Sequence, residues 1–438
     1  MDIGTLTLLI IVSMAVLIAA GVPLAFVSGS IAVGLAWWNF GTPGLFIIGS
    51  RTAELLGSFA LVAVPMFVLM ASIMERSGVA RDLYRAFQML GGSLRGGVGS
   101  MTVALAVILG ATTGIIGGEI VLLGLVALPQ MLRLGYDRKL AIGIVTAGGS
   151  LGTMIPPSII LIFFGLTAQV SISQLFLATL LPGLMVATLY VGYILIRCYL
   201  NPAMGPSANP EDLALSPAEK RAILWRVALP LAAAGSVLVS IYAGFASITE
   251  SAAVGVVGMI FAAWVRGELS WTLMRESLMQ SLRTCGMVFW LVFGTNALIG
   301  VYNLMGGIAF ARAMLAGVSS EPAVILAVML LCFIVLGFFL DWIGILFLTM
   351  PIFLPVVVGL GYEPIWFGIL FNLAMQIAYL TPPFGPACFY LKGVTPDISL
   401  SEIYAAQWPF IALQVLALLL VAVFPQIALF LPQLVYGR

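Results

Sequence analysis

The residues in this chain best suited to chemistry come in two matched sets. Pro156–Pro157 lie in GGSLGTMIPPS (148–158), and Pro382–Pro383 lie in MQIAYLTPPFG (375–385), 226 residues later. A Pro-Pro pair removes two consecutive backbone donors and clashes with the preceding helical turn. The carbonyls upstream lose their helical partners and become hard oxygen ligands, suited to a small hard cation such as sodium. Gly149 and the hydroxyls of Ser150, Thr153 and Thr381 are placed to complete such a shell. Each helix that restarts beyond a break presents free N–H groups that attract a carboxylate.

Two polar, glycine-containing tips supply the facing halves of these sites. The first, LGATTGIIGGE (109–119), contributes Gly110, Thr112 and Thr113; the second, LGFFLDWIG (336–344), contributes Gly337 and Asp341. A carboxylate deep in an apolar segment is costly and faces a cavity or a partner. Asp341 therefore reads as support for a sodium site, with a helix-capping aspartate as the structural alternative. Glu119, just past the first tip, reads as a cap of the second hairpin helix, with a proton- or sodium-binding group as the alternative. Glu250, in GFASITESAAVG (244–255), reads as a structural or gating acid at a helix start. Asn372 and Gln376 share one helical face before the second break. Together with Ser158 they are the candidate substrate contacts.

The surroundings of these residues are apolar throughout. Of 438 residues, 62% are hydrophobic and 8% charged, against roughly 25% charged in soluble proteins. Such a chain takes lipid as its solvent. It has no histidine, which excludes a histidine-based catalytic triad and the usual proton relay. The four cysteines form no C-x-x-C pair, so no metal or redox scaffold is expected. There is no nucleotide-binding G-x-x-x-x-G-K-[ST] loop and no basic patch for nucleic acid. The expected function is transport, with no enzyme activity and no cofactor, powered by an ion gradient or by another subunit. Only Asp2 precedes the first apolar run, so that run reads as a true span rather than a secretory signal.

Charges, Pro/Gly clusters and hydrophobic lengths place spans near 3–20, 22–40, 55–75, 138–170, 173–196, 227–244, 246–265, 284–305, 364–391 and 408–431. Segments 98–134 and 322–361 are too short for two crossings with a loop and fit re-entrant hairpins. In that topology every one of the 18 basic residues except Arg51, Arg312 and Arg438 falls on the cytoplasmic side, as the positive-inside rule requires. Segments 41–55 and 266–283 read as amphipathic connectors at the interface. The repeat extends beyond the prolines: Leu134-Gly135-Tyr136 returns as Leu360-Gly361-Tyr362, and SISQLF (171–176) as SLSEIY (399–404). The chain divides into a first repeat (1–200), a cytoplasmic linker (201–222) and a second repeat (223–438). Each repeat holds about five spans and one hairpin, and five is odd, so the second is inverted. The fold expected is an all-α polytopic membrane protein of two inverted-topology repeats with broken helices, the architecture of secondary transporters.

The segments LGYDRKLAIGIVTAGGSLGTMIPPS (134–158), GFASITESAAVG (244–255) and TPPFGPACFYLKGV (381–394) carry a family resemblance. With them the chain resembles the large (DctM-like) membrane subunit of tripartite ATP-independent periplasmic (TRAP) transporters over essentially its whole length. The resemblance implies sodium-coupled uptake of a small organic acid across a bacterial or archaeal inner membrane by an elevator mechanism. It also implies two partners, a small four-helix membrane subunit and a periplasmic substrate-binding protein. The alternative is a self-contained sodium/dicarboxylate-type symporter that needs no binding protein.

Overall fold

The computed structural model describes residues 2–91, 93–114, 117–207, 217–317 and 319–437, which form helices and connecting turns without a strand. The first half runs through α1 (Ile3–Ala19), α2 (Leu24–Phe40), α3 (Thr42–Leu56), α4 (Ala63–Arg76), α5 (Val79–Gly91), α6 (Gly97–Thr113), α7 (Gly118–Arg133), α8 (Arg138–Ser150), α9 (Ile159–Ala168) and α10 (Ile172–Leu200). The second half runs through α11 (Pro217–Tyr242), α12 (Ile248–Val265), α13 (Trp271–Leu304), α14 (Gly307–Ala316), α15 (Pro322–Leu336), α16 (Trp342–Gly359), α17 (Pro364–Leu380), α18 (Pro386–Val394), α19 (Leu400–Val423) and α20 (Gln426–Tyr436).

The repeat is visible element by element. In each half a helical hairpin (α6–α7, α15–α16) is followed by a broken helix (α8/α9, α17/α18) and a long closing helix (α10, α19). The hairpin helices are 17, 16, 15 and 18 residues long. At 1.5 Å per residue the first three reach about 22–26 Å, short of a hydrocarbon core of about 30 Å, whereas α16, at about 27 Å, has the length and apolarity of a span. The closing helices start alike: the Ser171 hydroxyl accepts from Gln174 N–H at 3.4 Å and the Ser399 hydroxyl from Glu402 N–H at 3.2 Å. That pair of caps is the physical content of the SISQLF/SLSEIY match, since a serine at this position satisfies an orphan donor of the first turn.

Hairpins, broken helices and closing helices pack into one inner module. Every residue from Ile365 to Leu380 of α17 is buried, as is every residue from Leu140 to Ser150 of α8. The remaining long helices form a frame in which α13 packs on α2, α3 and α4, and α12 on α4 and α11. α1, α2 and the end of α13 hold a separate small core around Leu6, Ile10, Val27, Leu35 and Val301. Large apolar side chains such as Leu8, Trp38, Phe46, Trp264 and Trp290 point outward. In water such a surface would be a liability; in a bilayer it is the expected contact with lipid. Six helices among the described residues, counting the 3-10 turn before α4 as its first turn, are long and apolar enough to cross a membrane, including α10, α12, α13 and α19.

Charged groups on the frame tie its two halves together. Arg266, after α12, donates to Asp82 of α5 at 2.9 Å and to Glu268 at 2.8 Å. Arg76 pairs with Glu276 and donates to Gln280 at 2.8 Å, joining α4 to α13. The Arg266 side chain is only 5% exposed, so Arg266→Gln would leave Asp82 without its buried cation. Removing one member of a buried pair costs roughly 3 kcal/mol or more. The expected result is a clearly lower melting temperature of the purified protein; an unchanged one would mean the pair is solvated and contributes little.

Several boundaries differ from the sequence reading. Segment 266–283 is not a separate connector: it is a short turn followed by the first third of α13, a continuous 34-residue helix. WTLMRESLMQSLRTC (271–285) contains neither Pro nor Gly and is capped by Ser270, so nothing stops the helix before the expected span. Its counterpart is interrupted, because Gly57-Ser58 and a 3-10 turn at Phe59–Val62 separate α3 from α4. The strongly amphipathic element is α5, whose apolar residues Val79, Leu83 and Ala86 are buried. The final span, expected at 408–431, divides into α19 and α20 at Phe424-Pro425. Glu250 matches its structural reading, closing a capping box with Ser247 at 2.7 Å. Residues 208–216 of the expected linker lie outside the described part.

Candidate functional site

The first broken helix is interrupted inside the inner module. α8 ends at Ser150, a 3-10 turn covers Leu151–Thr153, and the Pro156–Pro157 peptide is cis. α9 then starts after Ser158, and every residue from Leu151 to Ile160 is buried. Carbonyls freed in such a place need partners, and for two of the three these come from the other repeat. The Gln376 side-chain amide donates to the Ser150 carbonyl at 2.6 Å and also reaches the Thr153 hydroxyl. The Asn372 amide donates to the Thr153 carbonyl at 2.9 Å, and the Thr179 hydroxyl reaches the Met154 carbonyl at 3.0 Å. Gln376 and Ser150 are themselves 226 residues apart, so the contact joins two equivalent positions of the repeats.

The second break has the same cis Pro-Pro geometry, at Pro382–Pro383, but a different setting. Pro383 and Phe384 are exposed. The Tyr404 hydroxyl donates to the Pro383 carbonyl at 2.9 Å. Thr381 spends its hydroxyl proton on Ile377 O at 2.6 Å, within its own helix.

Each hairpin docks on its own broken helix at a matched point. A methyl group on Gly110 would come within 2.7 Å of Gly152 Cα, and one on Gly337 would run into Ala378 Cβ. Gly149 is pressed in the same way against Ile120 of α7. At the first tip, the Gly114 carbonyl accepts from Ile159 N–H at 3.3 Å, which fastens the tip to the far side of the break. Thr112 is buried and donates to Leu109 O at 2.6 Å. The Thr113 side chain and residues 115–116 lie outside the described residues. The Glu119 carboxylate rests against Gly152. At the second tip, Asp341 holds the N-cap position of α16, and Tyr379 lines a cavity beside it.

A cavity of about 680 Å3 lies between inner module and frame. Gly114, Gly117 and Gly118 of the first tip, Thr153 of the first break, and Asp341 and Trp342 of the second tip line one side. Glu75 of α4 and Gln280, Arg283, Thr284 and Cys285 of α13 line the other. It continues into a chamber of about 390 Å3 bordered by Arg76, Arg275 and Arg283.

The structure thus gathers Gly110, Gly149, Ser150, Thr153, Asn372 and Gln376 around the first break, and Gly337 and Asp341 at the second tip. Of the expected ion and substrate groups, Thr153 and Asp341 reach the cavity. Ser158, Asn372 and Gln376 do not line it; the two amides are fully buried and hold the break. Glu75, Arg283 and Tyr379 line the cavity and were not singled out from the sequence. The repeat itself carried a signal for Tyr379, which aligns with Thr153 at the offset of the two proline pairs.

Two hairpins and two broken helices closing on a cavity beneath a helical frame define a secondary-transporter permease. The family model for the tripartite ATP-independent periplasmic transporter, DctM component, matches residues 11–427, and the chain belongs to that family. The sialic acid TRAP transporter permease SiaT of Haemophilus influenzae is 28% identical over 94% of this chain and 66% of its own length. The isethionate TRAP transporter permease DctMQ of Oleidesulfovibrio alaskensis is 27% identical over 86% of this chain. The chain spans 58% of that relative, so both relatives carry sequence beyond the shared part. The ectoine TRAP transporter large permease TeaC of Halomonas elongata is 30% identical over 86% of this chain and 87% of its own length. Among solved structures, the Alcanivorax borkumensis YdaH transporter, described as having an unusual topology, superposes with a TM-score of 0.62 at 15% identity. It covers 92% of this chain and 96% of its own, a likeness of fold alone.

Proposed function

We propose that this permease carries a small organic acid anion into the cell, driven by sodium and moving by an elevator mechanism. A small membrane subunit and a periplasmic binding protein serve it in the bacterial inner membrane. The observation that carries the reading is the cavity, whose walls belong to two different bodies. Its inner wall comes from both hairpin tips and the first break, while its outer wall comes from the frame. Displacement of the inner module against the frame would close this cavity on one face and open it on the other. Arg76, Arg275 and Arg283 lie on the side assigned to the cytoplasm by the positive-inside rule, so the conformation is inward-facing. On this reading Ser150, Thr153, Gly110, Gly149 and the first tip's threonines support one sodium. Asp341, Gly337 and the second break with Thr381 support another, and Asn372 and Gln376 hold the carbonyls in place.

Uptake of labelled organic acids into proteoliposomes tests the reading. The permease would be compared alone, with the small subunit, and with the binding protein added, each with and without an inward sodium gradient. The expected result is uptake that needs all components and sodium; sodium-driven uptake by this chain alone would favour a self-contained symporter. Asp341→Asn is expected to reduce sodium-dependent uptake by roughly ten-fold or more, the scale of losing one charged hydrogen-bond partner. Ser150→Ala tests the first site in the same assay. Unaltered sodium dependence in both variants would remove the ion-site assignment.

A further inference from the structure

We infer that the cavity selects an organic acid carrying a single anionic group on an apolar or ring-bearing body, and that Arg283 meets the anion. This rests on the transporter reading above and narrows it. Among the described residues, two cations line the cavity, Arg76 and Arg283. Arg76 is engaged, its guanidinium paired with Glu276 and hydrogen-bonded to Gln280. Arg283 makes no ion pair or hydrogen bond among the described residues. It leaves α13 on the same side as Gln280 and Thr284, three residues before and one after, and all three border the cavity.

The rest of the wall is unsuited to a second negative group. Glu75 faces the same cavity and makes no ion pair among the described residues, and on the reading above Asp341 already serves a sodium. A compact dianion would have one guanidinium to share, with the Glu75 carboxyl lining the same wall. With the low dielectric of a membrane interior, a charge left without a partner costs several kcal/mol. The remaining surface favours bulk: Val68, Leu122, Met287, Trp342 and Tyr390 contribute aliphatic and aromatic walls. The volume of about 680 Å3 lies within the roughly 300–1,000 Å3 of clefts that enclose drug-sized ligands. A four-carbon diacid would leave most of that wall uncovered. A guanidinium suits a carboxylate or sulfonate equally, because each presents two oxygens to its paired N–H groups.

Equilibrium binding to the purified full-length permease with its small subunit, in sodium, tests the inference without involving the binding protein's own selection. Labelled phenylacetate and labelled succinate are the probes. Phenylacetate is expected to bind at least ten-fold more tightly than succinate. Arg283→Gln is expected to weaken phenylacetate binding at least ten-fold, and Arg283→Lys to restore most of it; the side chain is exposed, so neither change threatens folding. Equal or tighter succinate binding overturns the inference, as does an Arg283→Gln variant that binds phenylacetate normally, or failure of both acids to bind. Sodium-dependent uptake of a dicarboxylate in the three-component assay would leave the transport reading standing while this one fell.

Discussion

Replacing Gln376 by leucine is expected to abolish sodium-dependent uptake and to lower the melting temperature of the purified permease. The Gln376 amide serves two acceptors at once, the Ser150 carbonyl and the Thr153 hydroxyl. Leucine fills a similar volume but offers no donor. The Ser150 carbonyl would then lie buried and unpaired, since its helical donor, the Met154 N–H, is turned to the Leu151 carbonyl at 2.8 Å. An orphaned buried acceptor costs about 1–3 kcal/mol, and neither lipid nor a packed core supplies a replacement. The functional loss should exceed the loss of stability, because the same carbonyl belongs to the proposed ion shell. Asn372→Leu removes the donor to the Thr153 carbonyl and should act in the same direction, more mildly. Uptake within two-fold of the parent, with an unchanged melting temperature, would show that the amide is dispensable.

The second large effect is expected at Gly337. An alanine there places its methyl group against Ala378 Cβ, so the second hairpin cannot seat on α17. Overpacking of this kind costs typically 1–3 kcal/mol, and it acts on the tip that carries Asp341. Gly337→Ala is therefore expected to reduce uptake roughly ten-fold, in line with about 1.4 kcal/mol of misplacement. The same account makes a reciprocal claim: Gly337→Ala combined with Ala378→Gly should recover most of the activity. No equivalent rescue exists in the first half, because Gly110 already faces Gly152, and Gly110→Ala should stay defective. If the double substitution were as inactive as the single one, the steric explanation would be wrong.

The residues that could be read from the sequence are those whose meaning is local. Pro156–Pro157 and Pro382–Pro383 break helices by their own covalent chemistry, so the breaks and their match were visible at once. Gly110 and Gly337 stood out because two glycine-containing tips recurred at nearly the same distance before the breaks. Ser171 and Ser399 cap helices through bonds three residues away. Gln376 and Asn372 were different. They were legible as polar groups within an apolar helix, which pointed to substrate, but their partners lie 226 and 219 residues away. No local pattern states that pairing. Glu75 and Arg283 were missed for a related reason. Glu75 ends the expected span 55–75 and Arg283 ends the expected interfacial connector 266–283, and only the packing of α4 and α13 around the hairpins turns them inward. The continuous α13 was obscured by its charged first third, which looks like a surface segment until the absence of Pro and Gly is given its weight.

The clasp at the first break has a mechanical consequence. The carbonyls at Ser150 and Thr153 belong to one repeat and the amides that hold them belong to the other. A slip of one repeat along its twin would break those bonds. The pair of amides thus works as a keystone. Under the elevator reading the two repeats cannot rearrange internally to make the journey, and the load must cross the bilayer inside a single rigid carriage.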